Sequence, residues 1–273
     1  MSEKEVIART RKGPVTVASL AADLRKLGVS PGMVLLVHSS LSSIGWVCGG
    51  AASVVLALER VLKTFGTLVM PAHSGHLSDP SFWENPSVPK SWWETIRKSL
   101  PAYDAELTLT RGMGAIPECF RKQNNVLRSC HPQYSFAAWG EQCFGVVQDH
   151  DLDYGLGEGS PLARIYDLDG WVLLLGVDHG ISTSLHLAEY RACYTGKKTV
   201  FNAAPLLIDS HRRWKKFRDI NLDSTDFLLI GRAFCRKYAS LLRTGFIAHA
   251  RTQLLPQRPY VDFAVKWMER NRK

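Results

Sequence analysis

The run Trp171 to Val177, WVLLLGV, carries no polar side chain and breaks at Asp178, His179 and Gly180 into a polar turn. An apolar run without alternation fits a strand buried on both faces, as in a sheet covered by helices on either side. A helical pattern begins at Thr183. With Thr183 as the N-cap, Ser184 takes the first helical position, His186 falls in the first turn, and Glu189 lies three residues on, on the same face. The sequence thus places a histidine and a carboxylate where a buried strand hands over to a helix, and in open α/β sheets ligands bind at the carboxyl ends of the strands.

The remaining segments extend that alternation. Pro14 to Leu27 has helical spacing (Val17, Leu20, Ala21, Leu24, Leu27) and stops at Gly28, and Met33 to Val37 reads as a buried strand. His38, Ser39, Ser40, Leu41, Ser42, Ser43, Ile44 and Gly45 follow, and the Gly49-Gly50 pair leads into a helix, AASVVLALERVL. Backbone N–H groups of such a loop can meet a carbonyl or a phosphate, or the serines can simply cap a turn. The loop matches neither GxxxxGK[ST] nor GxGxxG, and no GxSxG elbow surrounds its serines. Thr67 to Met70 fits a second strand. From Ala72 to Tyr103 the pattern is irregular and rich in His, Pro, Asp and Trp, which suits a lid or an insertion packing its own tryptophans.

Further on, Thr108 to Lys122 reads as a glycine-bracketed turn and a short helix, and Tyr134 to Trp139 as a strand. Arg111 and Arg128 are candidates for a phosphate contact, since guanidinium forks match such oxygens. Ser160-Pro161 marks a helix start for 162–168. Thr199 to Ile208 reads as a strand, followed by a basic segment, His211 to Arg218. Ser224 to Leu242 is helical in period, and a last helix is expected over 260–270.

The 273 residues and 45% apolar composition support a single α/β domain over 1–273, with 72–106 as a lid or small subdomain. No apolar run has the length of a membrane span, and MSEKEVIARTRKG lacks a signal-peptide core, so a cytoplasmic protein is expected. Six cysteines without CxxC spacing read as buried or free thiols. The net charge of +9 is segregated: residues 1–70 carry +4, residues 71–190 carry −7 and residues 191–273 carry +12. The basic third carries no known nucleic-acid-binding motif, which argues against a nucleic-acid partner.

His179, His186 and Glu189 admit three readings. As metal ligands they would give a metal-dependent hydrolase, although HExxH and HxxEH are both absent. As structural residues they would satisfy nearby backbone groups. As base and partner they gain from position: a helix amino terminus disfavours a charged imidazole, and a neighbouring carboxylate orients the ring and stabilises the imidazolium after proton transfer.

The segments LLVHSSLSSIGWVCGGA, WWETIRKSLPAYD, TRGMGAIPECFR, RSCHPQYSFAAWG, GEGSPL, TSLHLAEYRA and VDFAVKWMERNR, in this order, resemble the aminoglycoside 3-N-acetyltransferase family of antibiotic acetyltransferases. The resemblance spans nearly the whole chain. It implies a central mixed β-sheet flanked by helices, unlike the common small acetyltransferase fold, and transfer of an acetyl group from acetyl-CoA to a primary amine. In the best-known members the acceptor is the 3-amino group of the 2-deoxystreptamine ring, and no metal is implied. Carried onto this sequence, the resemblance assigns coenzyme binding to His38, Ser39, Ser40, Leu41, Ser42, Ser43, Gly45 and Val47, to Arg111, Met113 and Gly114, and to Arg128, His131 and Ser135. It makes His186 the general base, with Glu189 as its partner or an acceptor contact, and gives His179 no role. A polycationic acceptor would need the acidic middle third, with Asp79, Glu158 and Glu189 as substrate contacts. Oligomeric state is not written in the sequence.

Overall fold

The computed structural model describes residues 3–10 and 13–273. Its strands are β1 (Val34–Ser39), β2 (Thr67–Pro71), β3 (Leu127–Arg128), β4 (Phe136–Gly140), β5 (Trp171–Leu175), β6 (Thr199–Ile208), β7 (His211–Ile220), β8 (Arg243–Ile247) and β9 (Ala250–Pro256). The helices are α1 (Glu3–Arg9), α2 (Val17–Leu27), α3 (Leu41–Ile44), α4 (Gly50–Leu62), α5 (Trp93–Ser99), α6 (Ala115–Phe120), α7 (Cys143–Val147), α8 (Pro161–Asp167), α9 (Ser184–Arg191), α10 (Phe227–Lys237) and α11 (Gln257–Asn271).

Seven strands form one mixed sheet in the order β3-β4-β2-β1-β5-β9-β8, and β6 and β7 form a separate hairpin. The central strands β2, β1 and β5 are parallel, while β4 and β9 run antiparallel on either side. The unalternated apolar runs are explained by two cores. Leu35, Val37, Leu68, Met70, Leu173 and Leu175 face one core with α2, α4 and α6; Leu36, Val69, Val172 and Leu174 face the other with α8, α9, α10 and α11. Each strand therefore needs apolar side chains at both parities.

The helices follow their sequence signals closely, with two differences. The 224–242 pattern gives helix only over Phe227–Lys237, and the last helix starts at Gln257, before Pro259. Proline in a first turn costs no internal hydrogen bond. The hairpin β8–β9, for which the sequence carries no clear signal, completes the sheet.

At the carboxyl ends of β1, β2 and β5 the loops 38–50, 72–114 and 176–183 emerge together, joined by 129–135 at the start of β4. In the expected insertion 72–106, Leu77 and Tyr103 are buried outside both cores. Trp92 is 57% exposed, and none of its tryptophans joins either core. It is instead sewn to its surroundings: Tyr103 N–H donates to Pro205 O, Tyr103 Oη to Ser129 O, and Arg212 to the carbonyls of Arg97 and Leu100. Arg128 is the main fastening. Its buried guanidinium donates to the carbonyls of Ala72, Ala105 and Thr108 and to the hydroxyls of Ser74 and Ser135. Arg128→Met would strand these buried acceptors and should cost roughly 3 kcal/mol or more. Urea unfolding is the check, with faster proteolysis within 76–110 expected and wild-type stability contradicting the role.

Candidate active site

Beyond β5 the chain turns at Gly176, whose φ of +69° and missing side chain let Ser43 approach; a Cβ there would meet Ser43 Cβ at 2.5 Å. Ser43 Oγ donates to Gly176 O at 3.0 Å, tying the serine loop to the loop that precedes α9. Thr183 occupies the N-cap position but does not cap α9 through its side chain. Its N–H and Oγ1 lie 3.4 and 3.3 Å from Nε2 of His38, at the end of β1.

His186 stands in the first turn of α9, its side chain 19% exposed and its ring edge-on to Phe227. Its Nδ1 lies 2.5 Å from Glu189 Oε2. Glu189 has no exposed surface, and its Oε1 accepts from Arg272 Nη1 at 2.7 Å and from Asp223 N–H at 2.9 Å. Arg272 is itself held by both oxygens of Asp226 and by Asp223 O. A carboxylate only accepts, so Nδ1 is the donor in this contact, which in the neutral ring leaves the lone pair on Nε2. Sequence reading missed Arg272 and Asp223; the only trace of Arg272 was its place at the end of the carboxyl-terminal segment shared with the family.

Further imidazoles gather nearby. Burial first, and the neighbouring His186 second, hold His38 down to about 3. His73 is also held at about 3, by burial and then by His186, and its Nε2 is buried without a partner. His150, held at about 4 mainly by burial, bridges Ser129 Oγ and Gly155 O. His131 is fully buried: its Nδ1 accepts from the N–H groups of Gln133 and Tyr134, and its Nε2 meets Leu152 O.

The residues expected to hold a coenzyme divide into two groups. The serine loop borders two cavities. One, of about 370 Å³, is lined by Leu41, Ser42, Gly45, Val47 and Gly50 with Glu3, Val6 and Trp46; the other, of about 680 Å³, meets Ser43. Ser40 Oγ lies 3.2 Å from Ser42 Oγ and 3.1 Å from Ser43 Oγ, whereas Ser39 Oγ is buried with no partner, so the loop retains an unused polar group. Arg111 and Gly114 are exposed and Met113 half-buried before α6. Arg128, Ser135 and His131, by contrast, are engaged inside the protein. Every N–H of the Arg128 guanidinium has a protein acceptor, and Ser135 Oγ donates to Ala72 O.

The carboxylates expected to meet a substrate are likewise engaged. Asp79 is clamped by Arg97 and accepts from Ser81; burial alone would raise its pKa, and these bonds hold it at about 2. Glu158 pairs with Arg191. His179 does not join His186 and Glu189: its Nδ1 lies 2.9 Å from Tyr260 Oη and its Nε2 3.3 Å from Cys235 Sγ. Among the described residues no three His, Cys, Asp or Glu side chains are arranged to hold a metal ion.

The buried neutral histidines set an acid limit. A histidine near 6.5 when unfolded and near 3 to 4 when folded adds full stability above 6.5 and loses it as pH falls from there, about 1.4 kcal/mol per pH unit for each ring. Denaturant midpoints should therefore fall steeply between pH 7 and 5, and His150→Gln should flatten that slope. An unchanged slope would contradict the assignment.

The model of the aminoglycoside 3-N-acetyltransferase family matches residues 36–269. The SPbeta prophage-derived aminoglycoside N(3')-acetyltransferase-like protein YokD of Bacillus subtilis (strain 168) is 45% identical over 94% of each chain. Its crystal structure superposes with a TM-score of 0.95 over 98% of both chains. Aminoglycoside N(3)-acetyltransferase VIII of Streptomyces fradiae is 36% identical over 98% of this chain and 96% of its own. The AAC-IIIb structure described as binary with CoASH has a TM-score of 0.85 and 29% identity, over 94% of this chain and 97% of that one. With the matched segments converging on one edge of the sheet, the chain belongs to the aminoglycoside 3-N-acetyltransferase family.

Proposed function

We propose that the protein transfers the acetyl group of acetyl-CoA to the 3-amino group of a 2-deoxystreptamine aminoglycoside by direct attack, with His186 as general base. The observation that carries this reading is the chain Arg272–Glu189–His186, which ends on an imidazole with Nδ1 occupied and Nε2 without a hydrogen-bond partner among the described residues, in the helix that follows the carboxyl end of β5. The CoASH in the AAC-IIIb structure and the aminoglycosides named for the relatives support the two substrates.

Acetyl-CoA supplies the acetyl group as a thioester, activated toward an amine. His186 Nε2 takes a proton from the acceptor nitrogen as the N–C bond forms and the C–S bond breaks, and that proton leaves with the thiol. Glu189 fixes the ring and stabilises its charged form during the transfer. The loop 38–47 provides backbone N–H groups and the unpaired Ser39 hydroxyl for the thioester oxygen, a kind of contact worth roughly 3 kcal/mol per donor. The segment 72–106, fastened by Arg128, covers the site within a single domain.

A thiol-release assay with acetyl-CoA across aminoglycosides and simple amines tests the reading. His186→Ala should lower kcat by about 10²- to 10⁴-fold while coenzyme binding persists. Glu189→Gln should lower kcat and also Tm, since Arg272 loses a buried partner. Near-normal turnover by folded His186→Ala would refute the base assignment.

A further inference from the structure

The β6–β7 hairpin lies outside the main sheet, yet it carries Asp219, which with Glu189 makes up the buried carboxylates among the described residues. Neither has any exposed surface. Asp219 Oδ1 accepts from Tyr190 Oη and, at 2.8 Å, from Ile220 N–H, and its Oδ2 accepts from Asn202 Nδ2 at 3.1 Å. Both oxygens face N–H donors, which offer no acceptor for a carboxyl proton, so the arrangement fits the ionised group. Burial raises the pKa of Asp219, and the bonds from Tyr190, Ile220 and Asn202 and the nearby His186 act the other way.

What separates the two carboxylates is the cation. Glu189 meets Arg272, a guanidinium that Asp226 shares. Asp219 has neutral partners and forms no ion pair with Lys or Arg among the described residues. An enclosed charge without a counter-ion is destabilising, so stability alone does not explain its presence. Its field is free to act on a positive charge that forms beside it.

Tyr190 links this charge to the reaction. It lies four residues after His186, so the two side chains are neighbours on one face of α9. Its ring is held from outside the helix by Gly157, where a Cβ would lie 3.0 Å from Tyr190 Cδ1, and by Tyr154, which meets it edge-on. His186 and Asp219 form no direct bond but are close enough to interact electrostatically. The other groups around His186 are Glu189 on its own helix with Arg272 behind it, His38 at the end of β1, His73 after β2 and Tyr134 before β4, while α10 contributes the uncharged Phe227. Burial keeps His38 and His73 neutral down to about 3 and the Tyr134 hydroxyl un-ionised, so none of them adds a competing charge near neutral pH. We propose that Asp219 is a positioning residue for the acetyl transfer: it anchors Tyr190 beside His186, and its unpaired charge stabilises the imidazolium that forms as the acceptor nitrogen gives up its proton. That proton passes to His186 Nε2 and then to the departing thiol, and Asp219 exchanges none. The assignment rests on His186 being the general base.

The test is the pH dependence of kcat/KM for thiol release from acetyl-CoA, on the full chain, with sisomicin and gentamicin as acceptors. Asp219→Asn and the smaller Asp219→Ser remove the charge, whereas Tyr190→Phe removes a bond and leaves the charge. Without the charge the base weakens: the acid limb of the profile should move to lower pH by about one unit, and kcat should fall about three- to tenfold. Tyr190→Phe should leave the acid limb at its wild-type position. Asn202→Asp combined with Asp219→Asn returns a carboxylate to the same cluster and should bring the limb back. An unmoved limb in folded Asp219→Asn or Asp219→Ser would overturn the proposal, as would a shift in Tyr190→Phe as large as theirs. A wild-type protein without turnover, or near-normal turnover by folded His186→Ala, would instead overturn the general-base reading beneath it.

Discussion

The site depends on a carboxylate with no access to solvent. Glu189 is held by Arg272, by the Asp223 N–H and by His186, so both oxygens are satisfied. A buried ion pair of this kind gives little net stability, because desolvating two charges offsets most of their attraction. What it supplies is geometry: the carboxylate is fixed where it meets Nδ1 of His186 and so holds the orientation of that ring. Arg272, just after α11, also ties that segment to the second turn of α9.

The sheet brings the rest into range. Parallel β1, β2 and β5 send their loops to one edge, where Ser43 bonds to Gly176 O and His38 meets Thr183. His186 lies close enough to His38 of the serine loop and His73 of the insertion to influence both electrostatically. The separate hairpin β6–β7 holds the insertion through Arg212 and Pro205, and its buried Asp219 accepts from Tyr190 Oη on α9.

Local signals in the sequence explain which parts were legible. Periodicity and capping placed His186 and Glu189 on one helical face, and unalternated apolar runs identified β1, β2 and β5, because both depend on neighbouring residues. Arg272 lies 83 residues from Glu189, and no local pattern encodes such a pair. Arg128 read as a phosphate contact because a guanidinium suits phosphates and carbonyls alike, and only the fold reveals the carbonyls of Ala72, Ala105 and Thr108 around it. The acidic surplus of the middle third was visible as a count, yet Asp79 and Glu158 are matched by arginines that a count does not locate. The edge hairpin β8–β9 carries too few alternating apolar residues to announce itself.

In the proposed mechanism Glu189, fixed by Arg272, keeps the proton of the neutral His186 ring on Nδ1 and leaves Nε2 as the acceptor. Nitrogen-15 NMR of histidine-labelled protein, assigned with a His186→Gln variant, measures this directly in the neutral ring. The account predicts a protonated Nδ1 and an unprotonated Nε2, with that preference weakened by Arg272→Met. A ring protonated at Nε2 in the wild-type protein would contradict it.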